Sequence, residues 1–465
     1  MVVIKDKSQL LSNPRNELNR KARSILLDSL EETLKKIDPE NLILEKVKVN
    51  NEKLIVEGIY EKIEIDLSKF NKVFLLGAGK ASVKMAVGLE KLLGNKVTGG
   101  VIIKPDNLET KVKPLKLDIL NGTHPIPSLK TLTSSKRLLS FKEKCDEQTL
   151  IIFLLSGGAS ALLEIPIENL SLEEYNQFIK EIMKTGMDIR ELNIIRKHLS
   201  MVKGGRLIRY FHPATILTIA MSDVKEDEID TIGSGPTVPD NSTYHDAIKI
   251  LKKYNVWEST PIKIKRTLIL GSQGQIDETV KINEIDQSRV KWAIIANNLT
   301  ATNAFKYALE QRGIKAFILS VNLDGEARIV GKFISRITRD NHLFIKESKK
   351  PLALIFGGET TVTVKGDGVG GRNQELVLSS IKNISRLHGV AILSVGTDGI
   401  DGNSEAAGAI VDGESYERSV KLGLQPKKYL ERNDSYTFFK LLKDAIVTGF
   451  TGTNLNDITV ALVLR

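Results

Sequence analysis

Short, uninterrupted apolar runs that stop abruptly at glycine, serine or aspartate punctuate this chain. Residues 73–76 run into Gly77-Ala78-Gly79-Lys80-Ala81-Ser82, residues 150–155 into Ser156-Gly157-Gly158-Ala159-Ser160-Ala161, and residues 216–221 into Ser222-Asp223-Val224. Further along, 352–356 end at Gly357-Gly358-Glu359-Thr360 and 392–395 at Gly396-Thr397-Asp398-Gly399. Runs of this length without alternation suit strands buried on both faces of a parallel sheet. Helical spacing fills the intervals. Leu18, Ala22, Ile25, Leu26, Leu30, Leu34 and Ile37 predict a long amphipathic scaffold helix over 16–37. Trp292-Ala293-Ile294-Ile295-Ala296, a helix over 300–311 and Ala316-Phe317-Ile318-Leu319-Ser320 read as the βαβ start of a second domain. Asn50-Asn51 marks a hairpin turn. The pattern predicts an α/β protein of two domains, 1–240 and 267–465, joined by a polar crossover over 241–266, with the active site in the cleft between them.

Composition narrows the classes. At 465 residues the chain exceeds one ordinary core. Its 41% hydrophobic and 27% charged fractions are ordinary globular values, and no apolar run is long enough to cross a bilayer. The expected location is the cytoplasm: the start lacks a signal-peptide pattern, and the single cysteine, Cys145, excludes an intrachain disulfide. The net charge of +10 is spread along helices and loops with only 5% aromatics, which argues against nucleic acid and for mild attraction of anionic substrates. Oligomeric state is left open.

The candidate chemistry lies where the apolar runs end. At Gly77 to Ser82 a strand turns tightly into a helix, and the unpaired N–H groups of a helix start attract anions. Lys80 adds a full charge. The turn is neither a Walker A loop, which has four residues between its first glycine and Gly-Lys, nor a dinucleotide fingerprint, whose third glycine is Ser82 here. Ser156-Gly157-Gly158-Ala159-Ser160 repeats the architecture, and parallel strands bring such turns to one ligand-binding edge. In a helix expected from Ile189 to Leu207, Asn193, Arg196, Ser200 and Lys203 share one face between apolar flanks, so an anionic ligand or buried carboxylates must answer the cations. Asp223 stands at a strand end, as a ligand contact or a turn former. The prolines of Thr123-His124-Pro125-Ile126-Pro127 make a shaped loop, in which His124 is a packed histidine or a catalyst. Gly370-Gly371-Arg372-Asn373 opens a helix, with Arg372 presenting a planar fork to phosphate or carboxylate oxygens. Asp398 and Asp401 lie in a glycine loop, suited to Mg²⁺ or to Asx turns.

Cations on glycine turns and aspartates at strand ends suit phosphoryl transfer, in which the protein contributes position and positive charge. Taken in order, the motifs from Gly77-Ala78-Gly79-Lys80-Ala81 through Asn193 to Gly205, Gly233-Ser234-Gly235-Pro236-Thr237 and Gly370-Gly371-Arg372-Asn373-Gln374-Glu375 to Gly396-Thr397-Asp398-Gly399 resemble the glycerate 2-kinases of the MOFRL type. The resemblance spans about residue 16 to the end. It implies a Rossmann-like amino-terminal domain, a MOFRL region over about 350–465, and ATP-dependent phosphorylation of D-glycerate to 2-phospho-D-glycerate. The family's functional lysine, aspartate and arginine fall on Lys80, Asp223 and Arg372. Lys80 and Arg372 would neutralise the transferred phosphoryl group or the glycerate carboxylate, and Asp223 would orient the 2-hydroxyl or help bind metal. Gly77, Gly79, Ser156, Gly157, Gly158, Ser160, Asn193, Arg196, Lys203, Gly370, Gly371 and Asn373 are expected to bind substrate or nucleotide, and Asp398 and Asp401 a divalent cation. Ser128 departs from the family, in which an acidic residue often follows the His-Pro-x-Pro loop. An NAD(P)H-dependent hydroxypyruvate reductase and a non-catalytic sugar-phosphate-binding module are the competing readings; the first lacks a dinucleotide fingerprint and the second a use for paired aspartates.

Overall fold

A computed structural model describes residues 4–108, 116–348 and 350–464, the side chains of 344–348 excepted. The chain forms two compact units, residues 39–295 and residues 1–38 with 296–465.

In the first unit the apolar runs form one sheet, ordered Asp118–Gly122, Val97–Pro105, Lys72–Ala78, Thr149–Leu155, Thr215–Met221 and Val290–Ala296. Numbered along the sheet's own chain order this is 3-2-1-4-5-6, the doubly wound arrangement whose direction reverses between its first and fourth strands. Those two strands, Lys72–Ala78 and Thr149–Leu155, pair in parallel from Lys72↔Thr149 to Ala78↔Leu155. Phe74, Leu76, Ile151, Phe153, Leu155 and Ile216 are almost wholly buried in the core, which explains why the runs do not alternate. Ser82–Leu93 covers the sheet and packs on Pro39–Lys46. The predicted hairpin is present: Asn51 and Glu52 both have positive φ, joining Val47–Asn50 to Lys53–Glu57.

Two expectations about domain organisation are corrected here. The polar stretch 241–266 is no linker: Tyr244–Lys253 and Ile262–Ser272 bury Tyr244, Ala247, Leu251, Ile264 and Leu268 in a helical core shared with Leu172–Met183 and Ile189–His198. Its polarity is the solvated side of amphipathic helices. Trp292 to Ala296, expected to open the second domain, instead lies in the sixth strand of the first sheet. An apolar run fixes that a strand is buried, not which sheet buries it.

The second unit has a mixed sheet ordered Lys315–Leu323, Leu352–Gly358, Asp457–Val463, Val390–Gly396, Gly408–Asp412 and Ala445–Ile446. Asp457–Val463 runs antiparallel to both neighbours, and Asp457 stands opposite Gly358 and Gly396. The long first helix, Glu17–Lys36, belongs to this unit. It carries a buried Arg23 that bridges Asp412 and Asp444, with Arg23 Nη1 2.7 Å from Asp444 Oδ1. Burial opposes ionisation of Asp444, yet Arg23 and Arg418 beside it hold its carboxyl below the usual range. Among the described residues no helix is long and apolar enough to cross a membrane.

Candidate active site

The sheet reverses direction at the two turns singled out in the sequence, and these turns are bonded to each other. Lys80 N–H donates to Gly157 O at 2.9 Å and Ser156 N–H to Ala78 O at 3.3 Å. Ser156 Oγ accepts from Ala81 N–H at 3.0 Å. Gly79 has φ +138°, and a Cβ there would fall 2.1 Å from Ser156 Oγ, so only glycine fits. Gly79 N–H also bonds Ile103 O at 3.1 Å. The N–H groups of Gly79, Lys80 and Ala81 are thus consumed internally, and Ser156 braces the turn. The backbone N–H groups before the helix Ser82–Leu93 are therefore closed to an anion, which leaves the first turn of the helix itself and the Lys80 side chain. A Cβ on Gly77 would meet Leu154 O at 2.3 Å, which makes that glycine a requirement of strand packing.

The second turn opens on a cavity of about 530 Å³. Gly157, Gly158, Ser160, Asn193, Arg196 and Asp223 all line it, so most of the expected first-unit ligand set converges. Ser160 Oγ lies 3.0 Å from Ser234 Oγ, which donates to Asn193 Oδ1 at 3.2 Å. Among the described residues the Arg196 guanidinium has no carboxylate partner and only Met183 Sδ at 3.7 Å as a hydrogen-bond neighbour. His124, for which the sequence left a catalytic role open, lines the cavity too, as do Lys180 and Lys184, which sequence reasoning did not place in the site. The walls hold Lys180, Lys184 and Arg196 against the single carboxylate of Asp223, an excess of positive charge that favours an anionic ligand.

Lys203 is a correction. The helix expected to run to Leu207 ends at His198, and a new one starts at Arg206. Between them Met201 N–H bonds Ile165 O at 2.7 Å, and Gly204 and Gly205 adopt positive φ. That non-helical passage turns Ser200 and Lys203 onto Glu164. Ser200 Oγ donates to Glu164 Oε1 at 2.6 Å, and Lys203 pairs with Glu164 and bonds Leu163 O at 3.1 Å. With 1% exposure Lys203 reaches no ligand: a buried carboxylate answers it. Burial pushes its pKa down despite the Glu164 charge. Ser128, where the chain departs from the family pattern, caps Leu129–Leu139 by accepting Lys130 N–H at 3.2 Å, a task an acidic side chain also performs.

In the second unit the glycine-rich helix start has a different use. Arg372 gives Nε and Nη2 to Asp457 at 2.5 and 3.0 Å, and Nη1 to Glu359 at 2.7 Å. The fork expected to face a ligand is occupied by two carboxylates. Burial works against the charge, but Asp457 holds the guanidinium pKa above its ordinary value. Asp401 is 1% exposed and accepts the N–H of Asn373 at 3.0 Å and of Gln374 at 2.9 Å, with both amide side chains adding bonds at 3.3 and 2.9 Å. It caps Arg372–Ser380 from a distant loop. A Cβ on Gly371 would lie 2.3 Å from Asp401 Oδ1, and one on Gly370 2.1 Å from Ser435 Oγ. These glycines therefore admit the protein's own loops. Asn373 is buried as well, its Oδ1 accepting from Ser394 Oγ at 2.6 Å. Of the expected metal pair, Asp401 is spent on N–H donors, and Asp398 Oδ1 accepts Ile400 N–H at 3.1 Å in an Asx turn. Among the described residues no group of three or more His, Cys, Asp or Glu side chains could hold a metal.

Comparison with known proteins agrees with this architecture. Residues 25–269 match a family described as a domain of unknown function, DUF4147, and residues 352–457 match the MOFRL family. The D-glycerate 2-kinase of Thermotoga maritima is 38% identical over 432 residues, 92% of this chain and 100% of that protein. The glycerate 2-kinase of Pyrococcus horikoshii is 37% identical over 442 residues, 95% and 97% of the two chains. A crystal structure of a glycerate kinase from Thermotoga maritima superposes with a TM-score of 0.80 at 36% identity, over 95% of this chain and 99% of that one.

Proposed function

The chain belongs to the DUF4147/MOFRL family, and from that premise we propose that it transfers the γ-phosphoryl group of ATP to the 2-hydroxyl of D-glycerate, giving 2-phospho-D-glycerate and ADP. The observation that carries the proposal is the cavity at the sheet's reversal, where Lys180, Lys184 and Arg196 face a single carboxylate. Glycerate and the nucleotide are both anionic and repel each other. A site that brings them together must supply fixed positive charge, and it acts most strongly where water is excluded. Lys80, whose stem passes Gly158, adds its positive charge, and Asp223 accepts a hydrogen bond from the attacking hydroxyl and so orients it.

The nucleotide's divalent cation, when bound, neutralises phosphate charge. No step here runs through it. A hydride-transfer reading needs a pyrophosphate cradle at the first turn, yet the N–H groups of Gly79, Lys80 and Ala81 are already bonded.

The test is ADP release from ATP and Mg²⁺ with and without D-glycerate, alongside NAD(P)H consumption with hydroxypyruvate. Release that requires D-glycerate, with phosphorus NMR placing the phosphate on carbon 2, is the expected result. Hydride consumption without ADP release would sink the proposal.

A further inference from the structure

One side chain at the cavity has no role in the scheme so far. His124 lies in the loop after Asp118–Gly122, and that loop is pinned on both sides of it. Thr123 N–H donates to Thr131 Oγ1 at 3.0 Å, Thr123 Oγ1 donates to Ile126 O at 2.6 Å, and Asn176 Nδ2 donates to Pro127 O at 2.7 Å. The prolines at 125 and 127 remove further freedom. The imidazole packs over Gly158, which has φ +85°. A Cβ at that glycine would lie 3.2 Å from His124 Cδ2, 3.5 Å from His124 Nε2 and 3.6 Å from Lys80 Cγ. Imidazole, lysine stem and second turn therefore meet at one point, where the sheet reverses and the cavity opens.

Phosphoryl transfer to an alcohol releases one proton, which needs an acceptor near the attacking oxygen. Besides His124, the charged or titratable groups lining the cavity are Asp223, Tyr175, Lys180, Lys184 and Arg196, and the Lys80 stem passes Gly158 beside it; the Tyr175 hydroxyl donates to Glu164 Oε2 at 2.6 Å and burial holds its proton on. The cations cannot accept a proton, and a carboxylate is a weak base at neutral pH. Imidazole is suited to the task across pH 5 to 8.

We propose that His124 is a catalytic residue that accepts the proton of the glycerate hydroxyl while Asp223 orients that hydroxyl. The hydroxyl oxygen forms its bond to the γ-phosphorus, the bond from that phosphorus to the β–γ bridging oxygen breaks, and its electron pair leaves with ADP. The proton goes to the imidazole and then to water. The inference rests on the kinase reading.

The experiment measures D-glycerate-dependent ADP release against pH for the wild type, His124→Gln and Asp223→Asn. In the wild type, turnover falls toward acid as the imidazole protonates. His124→Gln lowers kcat by about 100-fold, leaves KM for ATP within about threefold and abolishes the acid limb, whereas Asp223→Asn lowers kcat and keeps that limb. In His124→Ala, free imidazole restores turnover at least about tenfold, a rescue that a packing role would not produce and that also decides the case if His124→Gln fails to fold. An acid limb that persists in His124→Gln, turnover within about threefold of wild type, or absence of imidazole rescue overturns the inference. A wild type that releases no ADP with D-glycerate overturns the kinase reading instead.

Discussion

Two glycine-rich helix starts, one in each unit, look alike along the chain and are put to opposite uses. At Gly158 the missing side chain lets a lysine stem and an imidazole converge on the turn beside a cavity with an excess of cations. Around Gly370 and Gly371 they let the 401–403 loop and Ser435 press against the backbone, and Arg372 is held by Asp457 and Glu359. Both obey the same rule, that glycine permits close approach. The rule does not say whether the approaching group is a ligand or the protein itself. The discriminating quantity is charge left uncompensated: Arg196 meets only a thioether among the described residues, whereas Arg372 meets two carboxylates.

The contrast is tested most severely at Lys80. If the first unit supplies charge to the reaction, Lys80→Ala should lower D-glycerate-dependent turnover by about 10³-fold, about 4 kcal/mol in the barrier. The turn itself should persist, since the Lys80 backbone and Ser156 brace it. Wild-type turnover in this variant, measured by coupled ADP release, would break the comparison.

The second unit should respond through stability, and pH exposes it. Burial pushes the Asp401 carboxyl up to about 6, and the charge of Asp457 pushes in the same direction, while the N–H donors of Asn373 and Gln374 oppose them. A carboxyl raised above its unfolded value binds its proton more tightly in the folded chain. Its contribution is therefore complete below about pH 4 and is lost as pH rises through about 6, to a total of about 3 kcal/mol. Urea unfolding of the wild type and Asp401→Asn across pH 4 to 7 should show this dependence in the wild type and a flatter profile in the variant. Parallel profiles would mean that the N–H donors win and that Asp401 stays ionised throughout.

How much of this was readable beforehand follows the range of the interactions. Every apolar run that ends in a small-residue turn is a strand, because burial on two faces is written locally. That the Lys80 and Ser156 turns fall at the sheet's reversal was not legible, because it depends on strand order. Lys203 was misplaced because its partner, Glu164, lies in another segment, although Gly204-Gly205 did signal that the helix stops short. Arg372 was read as free because Glu359 and Asp457 reach it only after Leu352–Gly358 and Asp457–Val463 pair antiparallel. Val290–Ala296 was assigned to the wrong unit because strand order is a property of the sheet rather than of the run. His124 was noticed, but its convergence with Lys80 on Gly158 depends on three separate strand ends.

The smallest expected effect is at Arg372, where the comparison is also most easily overturned. Lysine keeps the charge but cannot hold Asp457 side-on through two nitrogens and Glu359 through a third. Asp457 is 7% exposed, so one of its charge-assisted bonds is left without a close donor, at a cost of about 1 to 2 kcal/mol. Arg372→Lys should therefore lower the melting temperature by about 2 to 4 °C. Its turnover loss should stay within about tenfold, because the charge remains and Asp401 still caps the helix. Glu359→Gln sharpens the point: it removes one of the carboxylates that occupy the fork, and if that occupancy is purely structural, turnover should not rise. Should Arg372→Lys instead lose more than about 100-fold in kcat at unchanged stability, the guanidinium must leave its carboxylates to act on substrate. The two glycine-rich starts would then share a function as well as a sequence pattern.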